Sequence, residues 1–271
     1  MKWYRVTQLL FIVILFPLVS IGGTSAHATP SGIVSLDLCT DWMLIKYAQP
    51  NQIRALSELI HHYPVDWVDP KWTTHNGTLE QIITLNPALV LAGEYNALLL
   101  RKRLQELGLT VKVLSLPKSI SDIYNYKQQF MNHIGHPESL SALPERATRQ
   151  TEKPTGKQAT LLLLGANGIG TGRNTFEDGI IQQSGWQNYL RDDGYIPLDL
   201  ESVINDPPDA LLWIAPHSAA LANQFAEHPA LIKAIPPQHW LTTDYWRWQC
   251  PGPWSWALIE QLTAHLKRYN E

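Results

Sequence analysis

The chain has 271 residues and a formal charge of −3, with 45% apolar and 17% charged residues. This length allows one or two domains, and the apolar share can build a core, which excludes a disordered chain. The 16 Gly and 19 Pro residues are close to average usage, which excludes a collagen-like or low-complexity protein. A weakly acidic chain without a Lys/Arg run argues against nucleic acid as a partner.

The first 28 residues have the layout of a cleavable secretory signal. Lys2 and Arg5 precede an apolar run over 9–21, and Ala26 and Ala28 supply small residues at the positions that a signal peptidase reads. The run is shorter than the roughly 20 apolar residues that span a bilayer. We therefore expect residues 1–28 to be a removed signal peptide and the mature chain to have no stable membrane insertion.

The sequence contains two cysteines, Cys39 and Cys250, which are too few for a disulfide scaffold. In an oxidising compartment they could pair and link the two ends of the chain. They could also remain separate thiols, buried or lining a cleft. The sequence cannot decide, because it does not place the two Cα atoms within bonding range.

Strands and helices alternate in the first half. The apolar residues 33–38 predict a strand, followed by a helix to Ala48 that Thr40 or Asp41 can cap. The alternation continues with a helix, a strand, a helix and a strand over 79–85, 88–92, 98–107 and 111–114. This order predicts a parallel sheet with helices on both faces.

A helix–proline–strand unit occurs twice. Residues 79–91 match residues 200–212 at a constant offset of 121 positions, with Glu80 paired to Glu201 and Pro87 to Pro208. Such a repeat predicts two lobes of similar plan. Helical spacing over 120–134 and a second helical stretch over 137–151 predict a long connection, and a strand over 160–164 begins the second sheet.

The predicted fold class is therefore α/β, with two Rossmann-like lobes that hold central, mainly parallel sheets joined by a long interdomain helix. The expected organisation after the signal peptide is an N-terminal lobe, a connecting helical segment and a C-terminal lobe, at 29–118, 119–155 and 156–271.

Several segments in this order resemble the helical-backbone periplasmic substrate-binding proteins that serve cobalamin and ferric-siderophore ABC importers. In the first lobe they are Ile33-Val34-Ser35-Leu36, Asn76-Gly77-Thr78-Leu79-Glu80, Asn86-Pro87-Ala88-Leu89-Val90, and 103–109 with Val111 and Leu114. In the second lobe they are 170–178, Gly185-Trp186-Gln187-Asn188, and 200–208.

The resemblance implies a periplasmic receptor that binds a metal chelate, a corrinoid or a ferric siderophore, and delivers it to an inner-membrane ABC permease dimer. In that family one Glu on each lobe docks onto arginines of the permease, and Glu80 and Glu201 stand at the matching positions. The same two residues suit the first turn of a helix, where the helix dipole favours an acid. We expect a monomer that has no cofactor of its own.

In open parallel sheets, ligands bind outside the carboxyl ends of the strands. This rule predicts a cleft between the lobes lined by 39–42, 93–96, 165–174 and 245–248. Aromatic faces suit a large planar or catechol-bearing ligand, and guanidinium groups pair with carboxylates or phosphates. The candidate ligand-binding residues are Trp42, Trp72, Tyr95, Trp246, Trp248, Arg173 and Arg247.

Three other functions remain open. A receptor for haem would use a Tyr or His ligand. A receptor for a bare metal would need histidines to converge, and His61, His62, His75, His217 and His239 show no ligand spacing in sequence. An exported Rossmann-like oxidoreductase would need G-x-G-x-x-G, which the glycine-rich 165–172 fails because Arg173 and Thr175 occupy the final positions. We expect a binding protein and not an enzyme.

Overall fold

The computed structural model describes residues 29–271 apart from 30, 64, 137–157, 216–221 and 223. The expected signal peptide, the second helical stretch over 137–151 and His217 lie outside the described residues. Within the described ranges, no helix is both long enough and apolar enough to cross a membrane.

The first lobe is built on a five-stranded sheet in the order β3-β2-β1-β4-β5, and all of its pairings are parallel. Its strands are β1 (Ile33–Ser35), β2 (Ile53–Ser57), β3 (Thr74–His75), β4 (Leu89–Gly93) and β5 (Val111–Leu114). Its helices are α1 (Leu38–Tyr47), α2 (Leu59–His62), α3 (Leu79–Leu85) and α4 (Leu98–Glu106). Helices that return the chain between parallel strands explain the alternation in the sequence.

Helix α1 begins earlier than the sequence suggested. Asp37 is the N-cap, and its Oδ1 accepts the backbone N–H groups of Cys39 and Thr40, each at 3.1 Å. Asp41 does not cap the helix, because its carboxylate binds Ser57 at the end of β2. The strand that was expected over 33–38 therefore stops at Ser35.

The second lobe is built on a sheet in the order β11-β10-β6-β7-β9, with β8 also paired to β6. Its strands are β6 (Thr160–Leu164), β7 (Ile169–Thr171), β8 (Gln187–Asn188), β9 (Tyr195–Pro197), β10 (Ala210–Trp213) and β11 (Trp240–Leu241). Its helices are α6 (Phe176–Gln183), α7 (Leu200–Asn205), α8 (Pro229–Ala234) and α9 (Ser255–Asn270). Strands β8, β10 and β11 run parallel to their partners, whereas β7 pairs antiparallel with β6 and β9.

The sequence repeat occupies equivalent places in the two sheets. Helix α3 leads into β4, which lies beside β1, and α7 leads into β10, which lies beside β6. Leu89 pairs with Ile33 in one sheet, and Ala210 pairs with Leu161 in the other. The two parallel-dominated sheets confirm the predicted fold class.

One helix contributes to the cores of both lobes. Helix α5 (Asp122–His133) follows the first sheet. Ile120 and Ile123 pack with the buried residues of the second sheet, whereas Tyr126 and Phe130 pack with those of the first. Burial at both ends makes α5 a stiff connection between the lobes. The part of the expected connection after residue 136 lies outside the described residues.

A candidate ligand cleft between the lobes

A disulfide joins the two lobes at the start of α1. Cys39 lies in the first turn of α1, and Cys250 follows the short 3₁₀ turn Tyr245–Trp248 of the second lobe. Their Cα atoms are 5.4 Å apart although the residues are separated by 211 positions in sequence. The bond therefore fixes the 245–250 segment of the second lobe against α1 of the first.

Four tryptophan rings cluster beside this disulfide. Trp42 on α1 is fully buried, and its ring meets those of Trp67, Trp246 and Trp254 edge-on. The centroid distances from Trp42 to these rings are 6.3, 5.2 and 5.5 Å, respectively. Such edge-to-face pairs combine a large buried apolar area with favourable ring electrostatics. Because two rings come from each lobe, the cluster is an apolar contact between the lobes, in addition to that made by α5.

Two cations lie over the outer rings of the cluster. Lys46 Nζ is 5.8 Å from the centroid of Trp67, and Arg247 Cζ is 4.4 Å from that of Trp246. Both distances are within the range of a cation–π interaction. Arg247 Nε also donates a 2.8 Å hydrogen bond to Asp244, and this bond holds the pKa of the Asp244 carboxyl below its usual range. Each lobe thus places one positive charge beside an aromatic face.

A cavity of about 370 Å³ opens beside these groups. The first lobe lines it with Lys46, Tyr47 and Trp67. The second lobe lines it with Trp246, Arg247, Pro253, Trp254, Trp256, Ala257 and Glu260. A mainly aromatic wall with a few charged groups is typical of a small-molecule site. The arrangement can hold a flat ligand against the rings and pair its anionic groups with Lys46 and Arg247.

A buried polar network holds the amino-terminal end of α1 against the first sheet. Asp37 Oδ2 accepts the backbone N–H of Gly93 at 2.6 Å, and Asp41 accepts both the N–H and the hydroxyl of Ser57, at 2.9 and 2.5 Å. Burial raises the pKa of both carboxyls, that of Asp41 well above its usual range. These contacts fix the carboxyl ends of β1, β2 and β4 relative to α1.

His75 belongs to the same network. Its Nε2 lies 2.6 Å from the backbone oxygen of Ser35, and its Nδ1 accepts the N–H of Gly77. Burial lowers the pKa of His75, so the neutral ring is favoured. Both ring nitrogens have partners in the chain, and no group of three His, Cys, Asp or Glu side chains suited to a metal ion occurs among the described residues.

The structure brings together three of the predicted ligand residues and separates the others. Trp42, Trp246 and Arg247 lie in or behind the cavity wall, with Trp42 too deeply buried to offer its face. Trp248 is buried in the second-lobe core, and its Nε1 donates to Thr243 Oγ1 at 2.8 Å. Trp72 packs, half-buried, against the first-lobe core, and Tyr95 is 67% exposed on the loop after β4. None of these last three lines the cavity.

Arg173 is not part of the cavity, because the glycine-rich loop turns back on itself. Ala166–Gly168 form a 3₁₀ turn between β6 and β7. Because β7 is antiparallel to β6, it carries Arg173 back toward the amino end of β6. There Arg173 pairs with Asp193, at 3.7 Å between Nε and Oδ1, and its side chain is 58% exposed.

Several cavity residues were missing from the candidate set. They are Lys46, Tyr47, Trp67, Trp254 and Trp256. Lys46 carried a usable signal, since it follows Trp42 by one helical turn and so lies on the same face of α1. Trp254 and Trp256 carried a weaker signal as two aromatic residues immediately after Pro251-Gly252-Pro253.

Glu80 and Glu201 occupy equivalent positions on the two lobes. Each is the second residue of its helix, α3 or α7, and each is exposed. The N-cap residues, Thr78 of α3 and Asp199 of α7, precede the first residue of each helix. Asp199 accepts the backbone N–H of Glu201 at 3.1 Å. The acid in the first turn also interacts favourably with the helix dipole.

No family model and no curated protein sequence matches this chain. Solved structures do. The periplasmic heme-binding protein HutB of Vibrio cholerae has a TM-score of 0.70 at 18% identity, over 87% of this chain and 98% of its own. RhuT, a periplasmic heme-binding protein from Roseiflexus sp. RS-1, has a TM-score of 0.69 at 18% identity, over 89% of this chain and 100% of its own.

The periplasmic vitamin B12-binding protein BtuF of Vibrio cholerae is also similar, with a TM-score of 0.63 at 18% identity, over 89% of this chain and 98% of its own. At this identity the likeness shows a shared fold. The described chain therefore has the two-lobed fold of periplasmic binding proteins, as the resemblance in sequence implied.

Proposed function

We propose that this protein is a periplasmic receptor that captures a metal chelate between its two lobes and delivers it to an inner-membrane ABC permease dimer. The observation that carries the proposal is the aromatic cavity between the lobes, with Lys46 on one wall and Arg247 on the other. The chain binds its ligand and performs no chemistry on it. Glu80 and Glu201 serve as the docking anions.

The cavity chemistry favours a planar or catechol-bearing chelate with anionic groups, because rings supply stacking faces and cations pair with carboxylates or phenolates. A ferric siderophore or a corrinoid fits this description. Haem is the second candidate, and the specific observation in its favour is the pair of cations, Lys46 and Arg247, over two neighbouring rings, which would match the two carboxylates on one edge of a flat macrocycle. HutB and RhuT are both heme-binding proteins, which supports the same candidate.

Intrinsic tryptophan fluorescence tests the proposal. The mature protein is titrated with haemin, cyanocobalamin and several ferric siderophores, with an inner-filter control and calorimetric confirmation. We expect saturable one-to-one quenching by one of these chelates.

Arg247→Gln should weaken binding about tenfold, the effect of losing one partly desolvated cation contact. Arg173→Gln is the matched control and should leave the affinity unchanged, because Arg173 lies outside the cavity. Equal affinity of the Arg247→Gln and Arg173→Gln variants for the chelate would contradict the assignment of this cavity as the binding site.

Charge reversal tests delivery separately from capture. The double variant Glu80→Lys with Glu201→Lys should abolish uptake and leave the ligand affinity of the isolated receptor unchanged, because neither residue lines the cavity. A loss of ligand affinity in this variant would contradict the docking role.

A further inference from the structure

Each of the two exposed glutamates has an exposed isoleucine one helical turn further on. Ile83 follows Glu80 on α3 and is 43% exposed, and Ile204 follows Glu201 on α7 and is 45% exposed. Residues three positions apart lie side by side on a helix surface. The same pair, an acid beside a large apolar side chain, is therefore displayed at the same position of each lobe.

The neighbouring residues explain why these isoleucines point outward. Ile82 and Val203, one position earlier, are fully buried and anchor α3 and α7 to their lobes. The helices α3 and α7 therefore do not need Ile83 and Ile204 for packing. Exposing a large apolar side chain gives no benefit to the isolated receptor, and scattered cases need no explanation. Here, however, the exposure recurs at the repeat offset with nearly equal magnitude.

The two acids are available to a partner. Neither Glu80 nor Glu201 forms an ion pair with a described residue. A surface that combines an unpaired anion with an apolar side chain is complementary to a cation beside an apolar hollow. Because the pair occurs once on each lobe, the complementary partner has two equivalent halves.

We propose that Ile83 and Ile204 are contact residues of the docking surface and that each inserts into an apolar hollow beside a cation on one subunit of the permease dimer. This inference rests on the proposed function and adds the apolar half of its partner surface. The two residue types divide the work. Exposed charges steer the encounter and give it salt dependence, whereas apolar contacts that become desolvated slow dissociation.

Binding kinetics on the permease dimer in lipid nanodiscs test this division. The double variant Ile83→Ala with Ile204→Ala should raise the dissociation rate about tenfold and leave the association rate and its salt dependence unchanged. The double variant Glu80→Gln with Glu201→Gln should instead lower the association rate and flatten its dependence on salt. Leu59→Ala is the matched control, since Leu59 is a large apolar residue on α2, 37% exposed and outside the repeat. It should bind as the wild type does.

The outcomes separate the inference from the proposed function. If the glutamate variant loses association rate but the isoleucine variant dissociates like the wild type, the inference is overturned and the docking role of the glutamates stands. If the wild type does not bind the permease, or associates at the same rate as the glutamate variant, the proposed docking role is wrong. The inference, which rests on that role, is then wrong as well. If Leu59→Ala dissociates as fast as the isoleucine double variant, the inference is also overturned, because the effect is then not specific to Ile83 and Ile204.

Discussion

The two lobes share a helix–strand unit but finish their sheets differently. In the first lobe, β1, β2 and β4 end in a buried network around Asp37 and Asp41. In the second lobe, β6 turns directly into a glycine hairpin with β7. The groups that the second lobe contributes to the cavity come from 246–260, beyond its last strand. The first lobe therefore contributes cavity residues from α1, which is anchored to its sheet, and from the loop before β3, whereas the second lobe contributes residues that follow its last strand.

The two lobes are similar on the outer surface and different at the cavity. The repeat is preserved on the outer surface, where Glu80 and Glu201 occupy equivalent helix positions. It is lost at the cavity, where Lys46 and Trp67 of one lobe face Trp246 and Arg247 of the other. A partner with two equivalent halves favours the first arrangement. A single ligand that has two unlike faces needs no symmetry.

Replacing a fully buried tryptophan, in either lobe, should have the largest effect on the free energy of unfolding. Trp42→Ala and Trp186→Ala should each lower the free energy of unfolding by about 3–5 kcal/mol, because both rings are fully buried. Urea denaturation measures this loss. Only Trp42→Ala should also weaken chelate binding, since Trp42 backs the cavity wall and Trp186 packs in the second-lobe core. An equal loss of chelate affinity in both variants would contradict the position of Trp42 behind the cavity wall.

Removing the interlobe disulfide should have the next largest effect. The double variant Cys39→Ala with Cys250→Ala is expected to lower the free energy of unfolding by about 2–4 kcal/mol, because the bond closes a loop of 211 positions in the unfolded chain. Small-angle scattering should show an increased radius of gyration if the bond also limits the opening of the lobes. An unchanged radius would mean that α5 and the tryptophan cluster hold the lobes without it.

Buried carboxyls predict a pH dependence of stability, to which Asp37 and Asp41 contribute in the first lobe and Glu177 in the second. Burial raises the pKa of Asp41, so between its unfolded value of 3.8 and its raised folded value the native state holds a proton that the unfolded state has lost. Stability therefore falls as pH rises through this window. Asp41→Asn keeps the shape and the acceptor of the Ser57 N–H, its NH2 donates to the Ser57 hydroxyl oxygen instead of accepting from it, and the variant should flatten the decline. Thermal unfolding between pH 4 and 7 measures the slope, and an unchanged slope would assign it to another buried carboxyl, Asp37 or Glu177.

The surface variants used to test docking should have the smallest effect on stability. Glu80→Gln and Ile204→Ala are both expected to change the free energy of unfolding by less than about 0.5–1 kcal/mol, because their side chains are exposed. Urea denaturation checks this directly. A larger loss would mean that the helices α3 and α7 depend on these residues, and their kinetic effects could then not be read as contacts.

The sequence predicted the bounds of helices best where a Gly, Asn or Pro residue ends them. The sequence predicts the observed bounds of α3 because Asn86 and Pro87, two residues that commonly end helices, follow it. In the structure Asn86 adopts the left-handed conformation, with φ of +46°. Gly108, with φ of +85°, closes α4 in the same way. These signals are local, since the residue that ends the helix lies within two positions of its end.

The cap of α1 and the cavity could not be predicted in this way, because both depend on residues distant in sequence. Asp41 is drawn away from capping by Ser57, sixteen positions later. Trp67 became a wall residue only through Trp246 and Lys46, which come from other elements. Arg173 lies outside this cavity, and the sequence could not predict that position because no local signal distinguishes a loop that leads to a cleft from a hairpin that returns along the sheet.

Hydrogen–deuterium exchange with and without the bound chelate tests whether the ligand is held between the lobes. We expect new protection in the second half of α1 and over 244–257, on both walls of the cavity and in both lobes. We expect no change in α3 or α7, which do not line the cavity. Protection confined to one lobe, or located away from α1 and 244–257, would contradict a ligand held between the lobes.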